Sequence, residues 1–210
     1  MNQTADMPEA QPESAGVPRP GRLIVISGPS GVGKDTVIET VLARTRDVVK
    51  SVSSTTRGPR AGEAEGVDYH FTGRAEFERD IARGKFYEHA AYNGNLYGTP
   101  REWVNLQRSR GLDVILKIEV QGAHIVREMS PDAVLVFVMP PSMEELERRL
   151  RSRRSESDDR VTGRLEIARH EVSRSLEYDY LVVNDELEHA VDTVRSIILA
   201  ERVRQHKHVR

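Results

Sequence analysis

The glycine-rich segment 28–34 constrains the fold of this chain more than any other feature of its sequence. It reads Gly-Pro-Ser-Gly-Val-Gly-Lys, follows the apolar run 23–26 and precedes apolar residues at helical spacing. This order is typical of a buried parallel strand, a turn and a helix. The glycines let successive backbone N–H groups turn inward, the helix N-terminus adds positive potential, and the lysine reaches the phosphates. The segment therefore predicts a phosphate-binding loop of the G-x-x-x-x-G-K type.

The residue that follows this lysine departs from the usual pattern. Such loops carry a Ser or Thr whose hydroxyl ligates Mg²⁺, whereas this chain has Asp35, with Thr36 one place later. A carboxylate is also a hard oxygen ligand, so Asp35 is a candidate metal ligand. The helix dipole equally favours an acid in a first turn, and the sequence leaves both interpretations open. The residues expected to bind phosphate groups are Gly28, Pro29, Ser30, Gly31, Val32, Gly33, Lys34, Asp35 and Thr36.

Three further apolar runs indicate buried parallel strands. Helical patterns separate these runs, and alternating strands and helices imply a parallel sheet with helices on both faces. We therefore expect an α/β fold with a P-loop NTPase core. The strands are expected at 114–116 with Ile118 and Val120, at 133–139 and at 181–183, and the helices at about 101–110, 121–129, 142–150, 161–176 and 187–203.

Residues 51–99 have a different character from the rest. They are rich in Ser, Thr, Gly, Tyr and Arg, with strand-like pieces at 67–71 and 86–92 and a short amphipathic helix at about 74–83. The pair Asn93-Gly94 is a strong hairpin signal. We expect a small mixed-β insertion on the α/β core.

The expected domain spans residues 21–210, with its core at 21–50 and 100–210. Residues 1–20 hold four prolines and no apolar periodicity, so we expect a disordered leader there.

The composition excludes several function classes. The net charge of −2 lacks the basic excess of a nucleic-acid binder, and 5% aromatic residues argue against base stacking along a single strand. The absence of cysteine excludes disulfides, thiolate metal sites and thiol nucleophiles, and fits a cytoplasmic location. Because no apolar run approaches about 18 residues, we expect no membrane partner.

Several motifs, in unbroken order along the chain, closely resemble those of guanylate kinases. The resemblance covers about residues 22–200 and is far more specific than the loop alone. It implies transfer of the γ-phosphoryl group of MgATP to GMP, and also to dGMP, by a monomer or homodimer. The motifs are Ser53-Ser54-Thr55-Thr56-Arg57 with Pro59-Arg60, Gly66-Val67-Asp68-Tyr69, Glu88, Gly94-Asn95-Leu96-Tyr97-Gly98-Thr99, Val120-Gln121-Gly122, Pro140-Pro141-Ser142 with Glu144-Glu145-Leu146, and Val183-Asn184-Asp185.

The chemistry of the insertion agrees with an acceptor nucleotide. Arg57 and Arg60 can fork onto one phosphate, and Tyr69 and Tyr97 offer phenolic donors to the same oxygens. Guanine presents N1–H and an amino group side by side, so the single carboxylate of Glu88 can accept both and discriminate against adenine. The resemblance adds contacts to the acceptor nucleotide from Ser53, Thr99 and Glu119.

An arginine-rich segment at about 148–165 is the expected lid. It carries seven arginines without an apolar anchor, and arginines stabilise a phosphoryl group in transfer once water is excluded. The resemblance implies phosphate contacts from Arg149, Arg153 and Arg164 and an adenine-side contact from Asn184. The expected catalytic residues are thus Lys34, Arg57, Arg149, Arg153 and Arg164.

A second departure concerns Lys117, which stands two places before Glu119 where many relatives carry an acid. A lysine cannot help to organise Mg²⁺. We hypothesise that Asp35 supplies a carboxylate on one side of the site where Lys117 removes one on the other. Simple additivity in the double-mutant cycle of Asp35→Ser and Lys117→Asp would contradict this compensation.

Two alternatives remain open at this stage. The Gly-Lys-Asp variant of the loop also occurs in related ribose 1,5-bisphosphate phosphokinases, but a sugar phosphate would not need the guanine and phosphate set. The other alternative is a guanylate-kinase-like module that binds peptides without catalysis, which the presence of Lys34 and the lid arginines disfavours.

Overall fold

The structure is a computed structural model and describes residues 19–92, 94–152 and 158–204, with the backbone alone for 158–160. The strands are β1 (Leu23–Ser27), β2 (Val48–Lys50), β3 (Ser54–Thr55), β4 (His70–Phe71), β5 (Phe86–Tyr92), β6 (Asn95–Pro100), β7 (Asp113–Lys117), β8 (Val134–Met139) and β9 (Tyr180–Val183). The helices are α1 (Lys34–Arg44), α2 (Arg74–Ala82), α3 (Arg101–Ser109), α4 (Val120–Met129), α5 (Met143–Ser152), α6 (Asp158–Ser173) and α7 (Leu187–Val203).

The main sheet has five strands in the order β2-β7-β1-β8-β9, and every pair is parallel. Successive side chains of a strand point to opposite faces, and β1 is apolar on both. Ile24 and Ile26 enter a core shared with α1, α5, α6 and α7, whereas Leu23 and Val25 enter a second core with α3 and α4. Helices on both faces of a parallel sheet confirm the expected α/β class.

A second, mixed sheet lies beside the first, in the order β4-β3-β6-β5. The pair β3–β4 is parallel, and β6 is antiparallel to both of its neighbours. The hairpin between β5 and β6 turns at Gly94, whose φ of 77° suits glycine, while Asn93 lies outside the described residues. The small mixed-β addition is therefore present. The domain boundaries drawn from the sequence stay a prediction.

Two predicted strands were too long. Only His70 and Phe71 of the expected run 67–71 form a strand, because the chain turns at Gly66 (φ 72°) and the Gly66 N–H donates to the Tyr69 carbonyl at 2.9 Å. In the other run the strand ends at Lys117 and helix α4 already begins at Val120.

Other expectations fall on residues without a description. Residues 1–18, most of the expected leader, and 153–157, the centre of the expected lid, lie outside the described residues. Within the described ranges, no helix is both long and apolar enough to cross a membrane.

Candidate active site

A cleft of about 1190 Å³ opens beside the carboxyl end of β1, between the loop 28–34 and the second sheet. Its volume exceeds the range of about 300–1,000 Å³ that is usual for small-molecule pockets. Crevices at the carboxyl ends of parallel strands are the usual ligand sites of such sheets. The predicted residues that line the cleft are Ser30, Gly31, Gly33, Lys34, Asp35, Thr36, Ser53, Arg57, Arg60, Tyr69, Glu88, Tyr97, Glu119 and Arg164.

The glycine-rich loop is closed around its own lysine. The Lys34 ammonium donates to the carbonyl oxygens of Gly28 and Pro29, the latter at 3.1 Å. Gly28 has a φ of 142°, and a Cβ there would lie 2.2 Å from the Val138 carbonyl oxygen, so only glycine fits. The Arg164 guanidinium, from α6, donates to the Ser30 hydroxyl at 2.6 Å.

The far side of the loop is held by two residues that do not line the cleft. The Asn184 amide donates to the Val32 carbonyl at 2.7 Å, and Arg149 donates to the same oxygen at 3.3 Å and to the Asn184 carbonyl at 3.1 Å. Glu145, one helical turn before Arg149, accepts from its Nε at 2.7 Å. The structure thus places Arg149 and Asn184 behind the loop, with Val32 buried between them and the core.

A preformed basic cluster stands on the other wall. Arg57 donates to Glu63 Oε1 at 2.8 Å, while the backbone N–H of Arg60 donates to Glu63 Oε2 at 2.8 Å. The Arg57 guanidinium lies 5.3 Å from the Tyr69 ring centroid, and the Tyr69 and Tyr97 rings are 5.9 Å apart. The hydrogen bond to Glu63 raises the pKa of Arg57 above its ordinary value. A fixed cation with two phenols beside it suits a phosphate.

Glu88 is the buried acid of the cleft, with 4% of its surface exposed. The Thr99 hydroxyl, itself buried, donates to Glu88 Oε1 at 2.7 Å. Burial raises the pKa of Glu88 to about 7, although the hydrogen bonds from Thr99 act in the opposite direction. Gly122 leaves room for the carboxylate, since a Cβ at that position would lie 2.8 Å from Glu88 Oε2.

Asp35 and Lys117, which both line the cleft, form an ion pair. Lys117 Nζ lies 2.5 Å from Asp35 Oδ1 in a salt bridge that spans 82 positions of sequence. Burial would raise the pKa of Asp35, but the positive charges of Lys117, Lys34 and Lys50 leave it below its ordinary value. Among the described residues, no group of three or more His, Asp or Glu side chains is arranged to hold a metal ion.

The sequence analysis missed Glu171, a buried acid on α6. Burial is the main cause that raises the pKa of Glu171 to about 8, and the negative charge of Glu119 raises it further. The positive charge of Lys34 acts in the opposite direction. Glu119 Oε2 is buried and has no hydrogen-bond partner within the described part of the chain. A signal for Glu171 was available, because it continues the buried stripe of Val161, Leu165 and Ala168 at helical spacing. Glu63 was missed as well, although it follows Arg57 closely.

The remaining predicted residues do not line the cleft or lie outside the described residues. Gly28 and Pro29 shape the loop around Lys34, and Thr99 acts through Glu88. Arg153 lies outside the described residues, so its expected phosphate contact stays a prediction.

Comparison with known proteins relates this chain to guanylate kinases. A family model described as guanylate kinase covers residues 20–201. The guanylate kinase of Myxococcus xanthus is 48% identical over 189 residues, which is 90% of this chain and 90% of that protein. The guanylate kinase of Rubrobacter xylanophilus is 52% identical over 180 residues, covering 86% of this chain and 94% of that protein. A crystal structure of guanylate kinase from Anaplasma phagocytophilum superposes with a TM-score of 0.76 at 39% identity, covering 89% of each chain.

Proposed function

The chain belongs to the guanylate kinase family. We propose which residues of its cleft bind each of the two nucleotides and which assist the transfer of the phosphoryl group between them. The enzyme transfers the γ-phosphoryl group of ATP to GMP and produces ADP and GDP. The observation that carries the assignment is the single cleft that joins a phosphate loop to a buried acid and a basic cluster.

The buried carboxylate of Glu88 selects the base. In its charged form it accepts from N1–H and the amino group of guanine, whereas adenine lacks this pair of adjacent donors. Thr99 already occupies Oε1 and holds the group in place. A buried carboxylate without its donors is costly, so a base that cannot donate is rejected. Glu119 is proposed as a second contact to the base, and Ser53 as a hydroxyl contact.

The basic cluster receives the phosphate of GMP. Arg57 and Arg60 supply charge, Tyr69 and Tyr97 supply hydroxyl donors, and Glu63 fixes the direction of the Arg57 fork. These contacts reach the phosphate and base and require nothing of the 2′-hydroxyl, so we extend the proposal to dGMP.

The loop 28–34 with Lys34 and Arg164 binds the phosphates of ATP. The donor set suits Mg²⁺ only in part: Asp35 offers one hard carboxylate and the adjacent Thr36 a hydroxyl, so most other ligands must be phosphate oxygens and water. When bound, Mg²⁺ would neutralise charge on the β and γ phosphates. Arg149 and Asn184 hold the loop from behind. The expected phosphate contact of Arg149 and the adenine-side contact of Asn184 stay predictions.

The protein itself forms no covalent intermediate in this proposal. It aligns the acceptor oxygen with the γ phosphorus, surrounds the equatorial oxygens with cations and limits access of water. The cytoplasmic location and the choice between monomer and homodimer stay predictions, as does the lid at about 148–165.

The alternatives that the sequence left open are disfavoured. A sugar-phosphate kinase has no use for a buried acid and hydroxyl pair such as Glu88 and Thr99. A binding module without catalysis would not need both phosphate-binding walls in one cleft.

The test is a coupled assay of ADP release with MgATP and a panel of acceptors: GMP, dGMP, AMP, CMP, UMP and ribose phosphates. We expect turnover with GMP and dGMP alone. A folded protein that is silent with GMP would contradict the proposal. Turnover with a ribose phosphate would then favour the sugar-phosphate kinase, and nucleotide binding without any turnover the binding module.

A further inference from the structure

Lys117 has no role in the proposed function, although its side chain lies in the cleft. It is the last residue of β7, in register with Ile26 of the neighbouring strand β1, and the phosphate loop begins directly after β1. The carboxyl ends of the two strands therefore bring its side chain to the loop. That side chain is 24% exposed and lines the cleft.

The Lys117 ammonium lies near both walls of the cleft: the donor wall, formed by the phosphate loop and Asp35, and the acceptor wall, formed by Arg57, Arg60, Tyr69 and Tyr97. On the donor wall it contacts Asp35, the first residue after the loop lysine, at 2.5 Å. On the acceptor wall it lies 5.8 Å from the ring centroid of Tyr69, the same ring that Arg57 covers. A phosphoryl group that moves from the loop to the basic cluster must pass between these walls.

We propose that Lys117 is a catalytic residue of the phosphoryl transfer, whose ammonium binds the moving phosphoryl group while Asp35 serves as its counter-ion in the empty cleft. This inference rests on the proposed function and deepens it. In the transfer, the bond from the γ phosphorus to the bridging oxygen of ADP breaks and a bond to a phosphate oxygen of GMP forms. The acceptor oxygen is already deprotonated, so Lys117 keeps its protons throughout and acts by charge alone.

The state of the ion pair favours exchange of partners. Asp35 is 65% exposed, and ion pairs with an exposed member contribute little, so phosphate oxygens can replace the carboxylate at small cost. Once both nucleotides have displaced water, the charge that develops on the equatorial oxygens is a stronger partner than Asp35. Lys34, by contrast, is held by two loop carbonyls on the donor side.

A purely structural role for the pair makes different predictions. A salt bridge that only joins β7 to α1 would affect the stability of the fold, and would leave affinity for a ligand that spans both walls unchanged. Stability and bridging affinity are therefore the two quantities to separate.

The experiment compares Lys117→Met with Lys85→Met, which removes a lysine paired with Asp80 at 2.8 Å outside the cleft. Calorimetry measures the binding of ATP alone, of GMP alone, and of adenosine and guanosine joined by five phosphates. For Lys117→Met we expect a fall in kcat of about a hundredfold and a loss of about tenfold in affinity for the joined nucleotide. Each separate nucleotide should lose less than about threefold, and Lys85→Met should resemble the parent in every measurement.

Two further variants keep the inference testable if Lys117→Met does not fold. Lys117→Arg retains the charge and should keep most of the affinity for the joined nucleotide. Asp35→Asn removes the counter-ion, so in the presence of EDTA it should bind the joined nucleotide more tightly than the parent. Weaker binding of that compound by Asp35→Asn without metal would overturn the counter-ion role.

The outcomes also separate this inference from the proposed function. A parent enzyme that does not phosphorylate GMP overturns the function. An active parent whose Lys117→Met variant keeps kcat and bridging affinity within about twofold overturns the inference alone. Equal losses for ATP, GMP and the joined nucleotide would likewise assign Lys117 a structural role.

Discussion

On the acceptor wall of the cleft, Arg57 and Glu63 form an ion pair whose side chains are 14% and 19% exposed, whereas Lys117 and Asp35 near the donor loop are 24% and 65% exposed. The acceptor wall is built before any ligand arrives, because Glu63 fixes Arg57 and Thr99 fixes Glu88. On the donor side, Lys34 is paired with loop carbonyls and Lys117 with Asp35, so the phosphates of ATP must replace these partners. Selectivity for the acceptor therefore depends on preorganisation, and binding of the donor on exchange of partners.

The largest effect is expected for Lys34→Met, which tests the independence of the two walls. Lys34 contacts only loop carbonyls among its described hydrogen bonds, so we expect a fall in kcat of about 10³-fold and unchanged affinity for GMP. Steady-state kinetics gives the first quantity and calorimetry with GMP alone the second. A large loss of GMP affinity would show that the walls are coupled.

Glu88→Gln tests the acceptor wall with a neutral side chain of the same shape. The amide keeps an oxygen for the Thr99 hydroxyl but cannot accept two hydrogen bonds from guanine as a carboxylate does. We expect kcat/KM for GMP to fall by about a hundredfold, with little change in KM for ATP. An equal loss for both substrates would mean that the variant damaged the fold.

The pH dependence of GMP binding is a second test of whether the carboxylate of Glu88 recognises guanine. Burial raises the pKa of Glu88 from 4.5 to about 7, and guanine binds the charged form, so affinity for GMP should rise by about tenfold from pH 6 to pH 8. The contribution of Glu88 to folding stability changes with pH in the opposite direction. Over the interval between the two pKa values the folded chain keeps a proton that the unfolded chain has lost, so the contribution of Glu88 to stability declines as pH rises.

Calorimetry with GMP between about pH 6 and pH 8 measures the change in affinity, and thermal melts between the two pKa values of Glu88, 4.5 and about 7, measure the change in stability. Glu88→Gln is the control, since it removes the titrating group and should flatten both. Identical pH profiles for the parent and the variant would refute the assignment to Glu88.

The smallest effect is expected for Gly122→Ala. The added methyl would lie 2.8 Å from Glu88 Oε2 and displace a carboxylate that Thr99 holds, so KM for GMP should rise by about three- to tenfold. The matched control is Gly73→Ala, because a Cβ there meets nothing within 4 Å and its backbone needs no positive φ. A shift in KM for ATP alone would place the strain elsewhere.

The core and the loop were predictable because their signals are local. Continuous apolar runs identified β1, β7, β8 and β9, and segment 28–34 identified the loop from a few neighbouring residues. The short strands β2 and β3 were not predicted, since two or three residues carry no periodicity of their own and depend on partners distant in sequence.

The sequence predicted which residues belong to the candidate site better than it predicted the contacts between them. The resemblance to a family supplied Glu88, Arg57 and Tyr97, and the cleft brings these side chains together. We hypothesised from the sequence that Asp35 and Lys117 compensate for each other, but their direct salt bridge at 2.5 Å depends on strand order, which sequence spacing does not encode. Glu171 was overlooked because an acid on a helix is usually solvated, although it continues the apolar stripe of α6 at helical spacing.

The two hydrogen bonds on the Val32 carbonyl have a consequence for the opposite end of the same peptide unit. In a planar trans peptide the carbonyl and the following N–H point in opposite directions. By fixing the carbonyl from behind, Asn184 and Arg149 fix the orientation of the Gly33 N–H, on a residue that lines the cleft. Two side chains behind the loop thus orient a backbone dipole, so this part of the cost of reorganising the loop around an anion is met when the chain folds.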